Sequence, residues 1–460
     1  MSDIRFWIIF FFIIRLYGIT NPPLEIAHNW RQSLTNMIAR NFLETDSHIL
    51  YPRIDMDGAG TGIIGSEFPL FNYLIFILAK IFGYTHWYGR LINLIVSSAG
   101  VFFFHALLKR FVNERIAIAS SLILLCSVWF AYSRKSMPDT FSVSLTIMGV
   151  YFGLLYLYET KFLHLILFLM LSTLGILCKI PSLFLLSIFA IAPFDSRISN
   201  NIKLYFLSAS LIVVAIVSIW YFYWVPTLIE HHHNPLYFPR HLKDGFRELI
   251  TNGKETFEKF YFSSLRSYFA FLAFLSGIAM LMKRKEKILL SVLLISSVAF
   301  FIFMLKAGEV FSLHGYYIIP FTPVMALCAG YAVAEIKNRK WFVVALLLIG
   351  TEAILNQHHD FEIKESEKYK LRLENIADKV CSSNSLIGIN GGDNPQLIYF
   401  AHRKGWTFAD EKLNDKEFIA LIKNKGCEFI FINKIISAHD YEINGATVFE
   451  DESFKVFRLE

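Results

Sequence analysis

Charge is scarce in this sequence. Asp, Glu, Lys and Arg make up 18% of the 460 residues while 55% are hydrophobic and 46 are Phe, against about a quarter charged in a soluble globular domain. That deficit argues against a soluble enzyme and against a disordered chain; with a mean hydropathy of +0.46 it indicates an integral membrane protein. Cysteine is rare too. The five residues Cys126, Cys178, Cys328, Cys381 and Cys427 form no CxxC, and three lie in apolar segments, so a disulfide framework is not expected. A pairing stays open only for Cys381 and Cys427, which share the C-terminal segment. The sequence has no HExxH, P-loop or GxSxG, so metalloprotease, ATPase and hydrolase-elbow chemistries have no motif support. It also has no internal repeat and no low-complexity tract.

What it does have is a series of apolar runs. A span needs roughly 20 apolar residues, and that length predicts about eleven spans, at 5–20, 86–107, 115–133, 139–158, 162–178, 180–194, 203–225, 264–282, 287–306, 314–336 and 340–357. The run from Phe6 reads as the first span and not as a cleaved signal peptide. Arg15 interrupts it, and Asn21-Pro22-Pro23 follows where small residues would mark a cleavage site. Only Lys179-Ile180-Pro181 separates the pair at 162–194.

The net charge of +6 comes from 44 basic against 38 acidic residues, and topology explains the excess better than a nucleic-acid partner. With the N-terminus in the cytoplasm, alternate short loops carry Lys109, Arg110 and Arg115, then Lys161, Arg197 and Lys203, Lys283-Arg284-Lys285 with Lys287, and Lys337, Arg339 and Lys340. An odd number of spans then puts 21–85, 226–262 and 358–460 outside. Ser33 to Phe42 and Pro69 to Phe82 suggest amphipathic helices lying along the interface, and 226–262 is also helical in pattern. In the C-terminal segment SLIGING, CEFIFIN, TVFED and FKVFRLE read as strands, and 367–380 and 415–425 as helices. The expected architecture is mainly α: a polytopic bundle over 1–357 with two structured outer loops, and a small extracytoplasmic α/β domain over 358–460.

Ionisable groups near the expected outer surface are few. Asp139 follows Pro138 at the start of the fourth span. It reads either as a helix-start carboxylate favoured by the macrodipole or as a polar group facing a cavity, since charge at membrane depth is costly. Asp55, Asp57 and Glu67 flank a Gly-rich stretch in the first outer loop, which is either a flexible surface loop or a ligand site; Glu67 directly precedes an apolar helix. Arg31, Arg40, Arg53, Arg134 and Lys135 lie on the side that positive-inside bias disfavours, which suggests binding of an anion such as a lipid phosphate; a solvated or headgroup-facing surface is the plainer reading. His314, Tyr316 and Tyr317, with Lys306, open the tenth span, where a Tyr belt is the alternative. His231-His232-His233 cannot all face one ion on a single helix or strand, so no metal site is assigned there. Arg403-Lys404-Gly405-Trp406 reads as a surface turn after a helix, the alternative being a cavity-facing segment that selects the acceptor.

The stretches HNWRQSLTNMIARNF (28–42), YPRIDMDG with GSEFPLFNYL, WYGRLINL, YSRKSMPDTFSVS, HGYYIIPFTPVMAL and YFAHRKGW occur in the order and topology of a known class. The chain resembles a polytopic GT-C glycosyltransferase, similar to bacterial protein O-mannosyltransferases and lipid A aminoarabinose transferases (glycosyltransferase family 39-like). The resemblance implies inverting transfer of a sugar from a polyprenyl-phosphate donor to a cell-envelope glycan, lipid or protein on the outer face of a bacterial inner membrane. Such a reaction needs cations for the donor phosphate and a base for the acceptor hydroxyl.

One departure bears on the base. Family members often carry Asp-Glu at the start of the first outer helix, where this chain has Arg31-Gln32 when aligned on Ile38-Ala39-Arg40. Neither is a base at neutral pH, so the role passes to Glu67, Asp55 or Asp139, with His28 as a non-carboxylate option. Glu67-Phe68-Pro69-Leu70 aligns with Lys-Pro-Pro-Leu of the aminoarabinose transferases, a stretch used near the lipid phosphate. A Glu cannot hold a phosphate, so that role falls to Arg31, Arg53, Arg134 or Lys135, with Gln32, His314 and Tyr316 as further substrate contacts. No metal ligand is assigned; a phosphate-bridging divalent cation and arginines alone both remain open. Two other classes compete. A flippase or transporter would show paired halves and mid-membrane polar groups, and a non-catalytic envelope receptor would tolerate loss of Asp55, Glu67 and Asp139.

Overall fold

The structure, a computed structural model, describes residues 3–236, 239–437, 441 and 443–460. It is mainly helical and divides into two compact units. The first contains the described residues within 1–19, 90–224 and 237–360; the second contains 20–89, 225–236 and 361–460.

The first unit is a helical bundle. Among the described residues five helices of the chain are long and apolar enough to cross a membrane: Tyr88–Phe111, Pro138–Glu159, Asn200–His232, Lys287–Ala307 and Gly315–Ala334. A sixth span arises if Gly253–Ser263 and Tyr268–Arg284, bent by 92° to each other, count as one. Several of the other expected spans take up shorter elements, Ile4–Arg15, Glu114–Cys126, Phe162–Cys178 and Arg339–Leu355. The expected span at 180–194 is a 3-10 segment, Ile180–Phe194, with Pro181 in its first turn and Pro193 inside it. Proline supplies no N–H for an α ladder, so this run does not continue the preceding helix. Lys179, in extended backbone, sits at that break.

In the second unit the strands β1 (Leu386–Ile389), β2 (Lys404–Thr407), β3 (Cys427–Asn433), β4 (Gly445–Glu450) and β5 (Phe454–Leu459) form one sheet in the order β2-β1-β3-β5-β4. β1 pairs in parallel with β2 and β3; β5 is antiparallel to β3 and β4. The continuous apolar run of β3, buried at six of seven positions, fits a strand covered on both faces.

The helix Asn29–Glu44 belongs to the same core. Leu34, Met37, Ile38 and Phe42 pack with Ile376, Ile389, Tyr399 and Phe431. Every residue from Gln32 to Phe42 is buried, so the polar residues of that helix are interior groups and each needs a partner. A second link is made by main chain. Gly405 N–H donates to the Asp55 carbonyl (2.9 Å) and Gly58 N–H to the Gly405 carbonyl (2.7 Å), which extends the β2 edge of the sheet with residues 55–58. Gly58 has φ +59°, and a Cβ there would overlap the Trp406 indole, so backbone and ring can meet only at a glycine.

The expected surface turn at 403–406 is therefore corrected. Lys404–Thr407 is strand β2, preceded by the helix Gln396–Ala401, and Arg403 is buried, donating to Asp378 (2.7 Å) and to the Cys381 carbonyl (3.1 Å). Cys381 and Cys427, for which pairing was open, are both free thiols.

Candidate functional site

In the first unit the polar residues converge at the start of the helix Pro138–Glu159. Met137 is extended, Pro138 occupies the first turn and Asp139 follows it, a position in which the macrodipole favours negative charge. The preceding loop is fixed by Asn93, whose amide donates to the carbonyls of Tyr132 (3.0 Å), Lys135 (2.9 Å) and Met137 (3.2 Å) and whose oxygen accepts from the Thr140 hydroxyl (2.9 Å). The WYGRLINL stretch thereby acquires a physical role, because its Asn holds the loop that carries Asp139.

Asp139 is buried, with 5% of its side chain exposed. Its Oδ1 lies 3.5 Å from Lys179 Nζ, and its Oδ2 has no hydrogen-bond partner among the described residues. Lys179 Nζ also stands 5.4 Å from the Tyr316 ring centre and 6.0 Å from that of Tyr317. Tyr316 in turn stacks on His314 (5.2 Å) and on Tyr317 (4.8 Å). Carboxylate, ammonium and aromatic stack thus form one connected set, in which an ion pair and a cation–π contact hold the lysine. Sequence reasoning noted Lys179 only as a separator between two apolar runs; a lone Lys before a Pro at membrane depth was the signal available.

Arg134 and Lys135 are fully buried in the same unit. Arg134 donates to the Gly18 carbonyl (2.8 Å) and Lys135 to the carbonyl of Asp360. Arg90 adds longer contacts to the carbonyls of Gly18 and Ile19 (both 3.4 Å).

In the second unit Arg31 forms an ion pair with Glu67, and both side chains are largely buried. Gln32 is fully buried, its amide 3.5 Å from the Ala27 carbonyl. His28 precedes the helix in the left-handed region (φ 52°) and makes no capping bond through its side chain. Asp55 is held on both oxygens, by Arg40 (3.0 Å) and by Asn41 (2.8 Å), and Arg40 also lies over the Tyr399 ring and donates to its carbonyl (3.1 Å). Arg53 pairs with Asp46 (2.7 Å), and Asp57 accepts from Gly62 N–H (2.8 Å). The Asp55 set is a closed buried network; its oxygens are already engaged.

A polar cavity of about 730 Å³ in this unit is lined in part by Glu44, Asp378, Glu374, His402 and Lys404. His402 bridges two elements, Nδ1 at 2.7 Å from Glu374 and Nε2 at 2.9 Å from Glu44. These carboxylates raise the imidazole to about 9, and the imidazolium in turn holds Glu374 below the usual carboxylate range. Among the described residues no three His, Cys, Asp or Glu side chains converge as a metal-ligand set. His231 and His232 lie on the helix Val225–His232, where His232 Nδ1 meets the Thr61 hydroxyl at 3.0 Å.

Comparison with known proteins gives a family likeness over part of the chain and a likeness of fold over nearly all of it. Residues 66–222 match the family model of dolichyl-phosphate-mannose-protein mannosyltransferases, a stretch that contains Glu67, Asn93, Asp139 and Lys179. The chain resembles the structure of ArnT from Cupriavidus metallidurans in the apo state, with a TM-score of 0.65 at 12% identity over 98% of this chain and 97% of that one. It is similar to the same protein bound to undecaprenyl phosphate, at 0.62 and 11% over the same shares. The Archaeoglobus fulgidus oligosaccharyltransferase in complex with Zn and sulfate matches at 0.58 and 12%, over 92% of this chain and 68% of that one. No curated protein matches the chain by sequence. The fold over nearly the whole chain is thus that of these solved structures, with several helices long and apolar enough to cross a membrane, and residues 66–222 add the likeness to the mannosyltransferase family model.

Proposed function

We propose that the chain transfers a sugar from a polyprenyl-phosphate donor to a hydroxyl of a cell-envelope glycan, lipid or protein, at the outer face of a bacterial inner membrane and with inversion at the anomeric carbon. The buried pair of Asp139 and Lys179 carries this reading, because one carboxylate oxygen has no partner among the described residues while the other is fixed by the ammonium. In this mechanism Asp139 Oδ2 takes the proton of the acceptor hydroxyl. The acceptor oxygen bonds to the anomeric carbon from the face opposite the phosphate, the carbon–oxygen bond to the phosphate breaks, and polyprenyl phosphate leaves with that electron pair. Lys179 stabilises the charge that grows on the phosphate. Undecaprenyl phosphate, bound by the Cupriavidus protein, is the kind of leaving group this step releases, and its lipid tail keeps the reaction at the membrane.

Within the second unit Arg31 and Glu67 form an ion pair of their own, and Glu67 is the alternative base. Arg134 and Lys135 hold the loop that carries Asp139, through their carbonyl contacts. Asp55 is left out of the chemistry because Arg40 and Asn41 occupy both its oxygens.

The test is transfer of radiolabelled sugar from a panel of polyprenyl-phosphate sugars in liposomes, for wild type, Asp139→Asn and Glu67→Gln, with and without chelator. Loss of turnover with donor binding retained in Asp139→Asn supports the assignment. If the wild type moves donor across the bilayer without releasing polyprenyl phosphate, the protein is a flippase and the proposal fails. The chelator arm tests a phosphate-bridging cation held by fewer than three protein ligands.

A further inference from the structure

A long apolar groove in the first unit lies away from the residues discussed so far. It encloses about 810 Å³ between the helices Ile4–Arg15, Glu114–Cys126 and Arg339–Leu355. Its wall is apolar along most of its length, and its lining includes two guanidinium groups, Arg115 and Arg339, and no Asp or Glu. On the helix Arg339–Leu355 the lining runs from Arg339 to Ile354, which at 1.5 Å per residue is about 22 Å. That length carries an acyl chain across one leaflet of a hydrocarbon core roughly 30 Å thick. Near the far end sits Gly350, where an added Cβ would meet only the Cys126 sulfur, at 3.3 Å, so the groove stays open there.

Both arginines are exposed and lie at one end. Arg115 donates to the Ile336 carbonyl and stacks over Phe342 at 4.9 Å, which anchors its guanidinium at the mouth. This end is opposite to Asp139. The helix Glu114–Cys126 begins beside Arg115, and the chain reaches Asp139 only after that helix ends. The helix Pro138–Glu159 then returns, bringing Glu159 to 3.4 Å from Arg110.

We propose that this groove is a lipid site, separate from the donor site, that takes an anionic membrane phospholipid: its phosphate at Arg115 and Arg339, and one acyl chain along the groove towards Gly350 and Cys126. Two cations at the mouth of an otherwise apolar channel select a molecule with an anion at one end and a hydrocarbon tail. The distance from Asp139 along the bundle separates this occupant from the polyprenyl phosphate of the transfer reaction, and the inference stands without that reaction.

Native mass spectrometry of the purified full chain, exchanged against phosphatidylglycerol, phosphatidylcholine or undecaprenyl phosphate, tests the site. One phosphatidylglycerol is expected to be retained per chain in preference to the other two. The double variant Arg115→Gln/Arg339→Gln is expected to lose that preference by about thirtyfold, the double variant Arg115→Lys/Arg339→Lys to keep it, and Gly350→Phe to exclude the lipid. Photoactivatable phosphatidylglycerol on the wild type should label the helices Glu114–Cys126 and Arg339–Leu355, a readout that does not depend on how a variant folds. Labelling elsewhere, equal retention of phosphatidylcholine, or stronger retention of undecaprenyl phosphate at these helices overturns the proposal.

Discussion

Asp139 and Lys179 face each other at 3.5 Å at the head of the helix Pro138–Glu159, and the second carboxylate oxygen has no partner among the described residues. A buried carboxylate held on one side only is oriented yet able to accept a proton. Asp139→Asn keeps the shape and removes the proposed base, so turnover should fall by about 10²–10⁴-fold with donor binding retained, measured as single-turnover transfer alongside donor binding. Glu67→Gln should lower turnover less.

Lys179→Met should lower the turnover rate more than donor affinity, since the ammonium is assigned to charge that grows as the phosphate leaves. Lys179→Arg should restore part of that rate. Loss of affinity with an unchanged rate would mean that Lys179 only binds the ground state.

The Arg40–Asp55 pair lies in a closed network, so Asp55→Asn should act on stability. Removing one member of a buried pair typically costs about 3–5 kcal/mol, seen as a lower melting temperature in detergent. Activity per folded molecule should stay near wild type; a loss of rate at full stability would return Asp55 to the chemistry.

His402 gives the second unit a pH window. The folded imidazole titrates near 9, above its ordinary value of 6.5, so its contribution is complete below about 6.5 and is lost as pH rises through about 9. The Glu374 carboxyl is shifted downward by the same imidazolium; its contribution is present above the ordinary carboxylate range and is lost as pH falls through the lowered value. Thermal stability should therefore plateau from mildly acidic to neutral pH and decline on both sides. His402→Gln should remove the alkaline limb in melting curves taken against pH.

The bundle and most of the sheet were legible because each rests on a local pattern. CEFIFIN and FKVFRLE carry their own apolar character, and they form β3 and β5. β2 was not legible. Lys404-Gly405-Trp406-Thr407 has neither alternation nor a β-branched run, and it is a strand because it pairs with β1 and with residues 55–58. Likewise the polar helix Asn29–Glu44 could be recognised as amphipathic, but nothing local shows that Arg40 finds Tyr399 across 359 positions. The head of the candidate site was visible in Pro138 and Asp139, which are neighbours in sequence. Its lysine was not, because the Asp139–Lys179 contact spans 40 residues and follows from how two helices pack.

The hydrogen bonds between Gly405 and residues 55–58 set an order of assembly. Those N-terminal residues leave the ribosome some 350 positions ahead of Gly405, so the first long loop must wait, through the synthesis of every helix between them, for the strand that completes it. Domains commonly fold as they emerge; here residues 55–58 and β2 mature together, long after the loop is made. A chain cut short after Leu355, the last residue of the helix Arg339–Leu355, would keep the five described helices that are long and apolar enough to cross a membrane and still leave Asp55 and Gly58 with no strand to join.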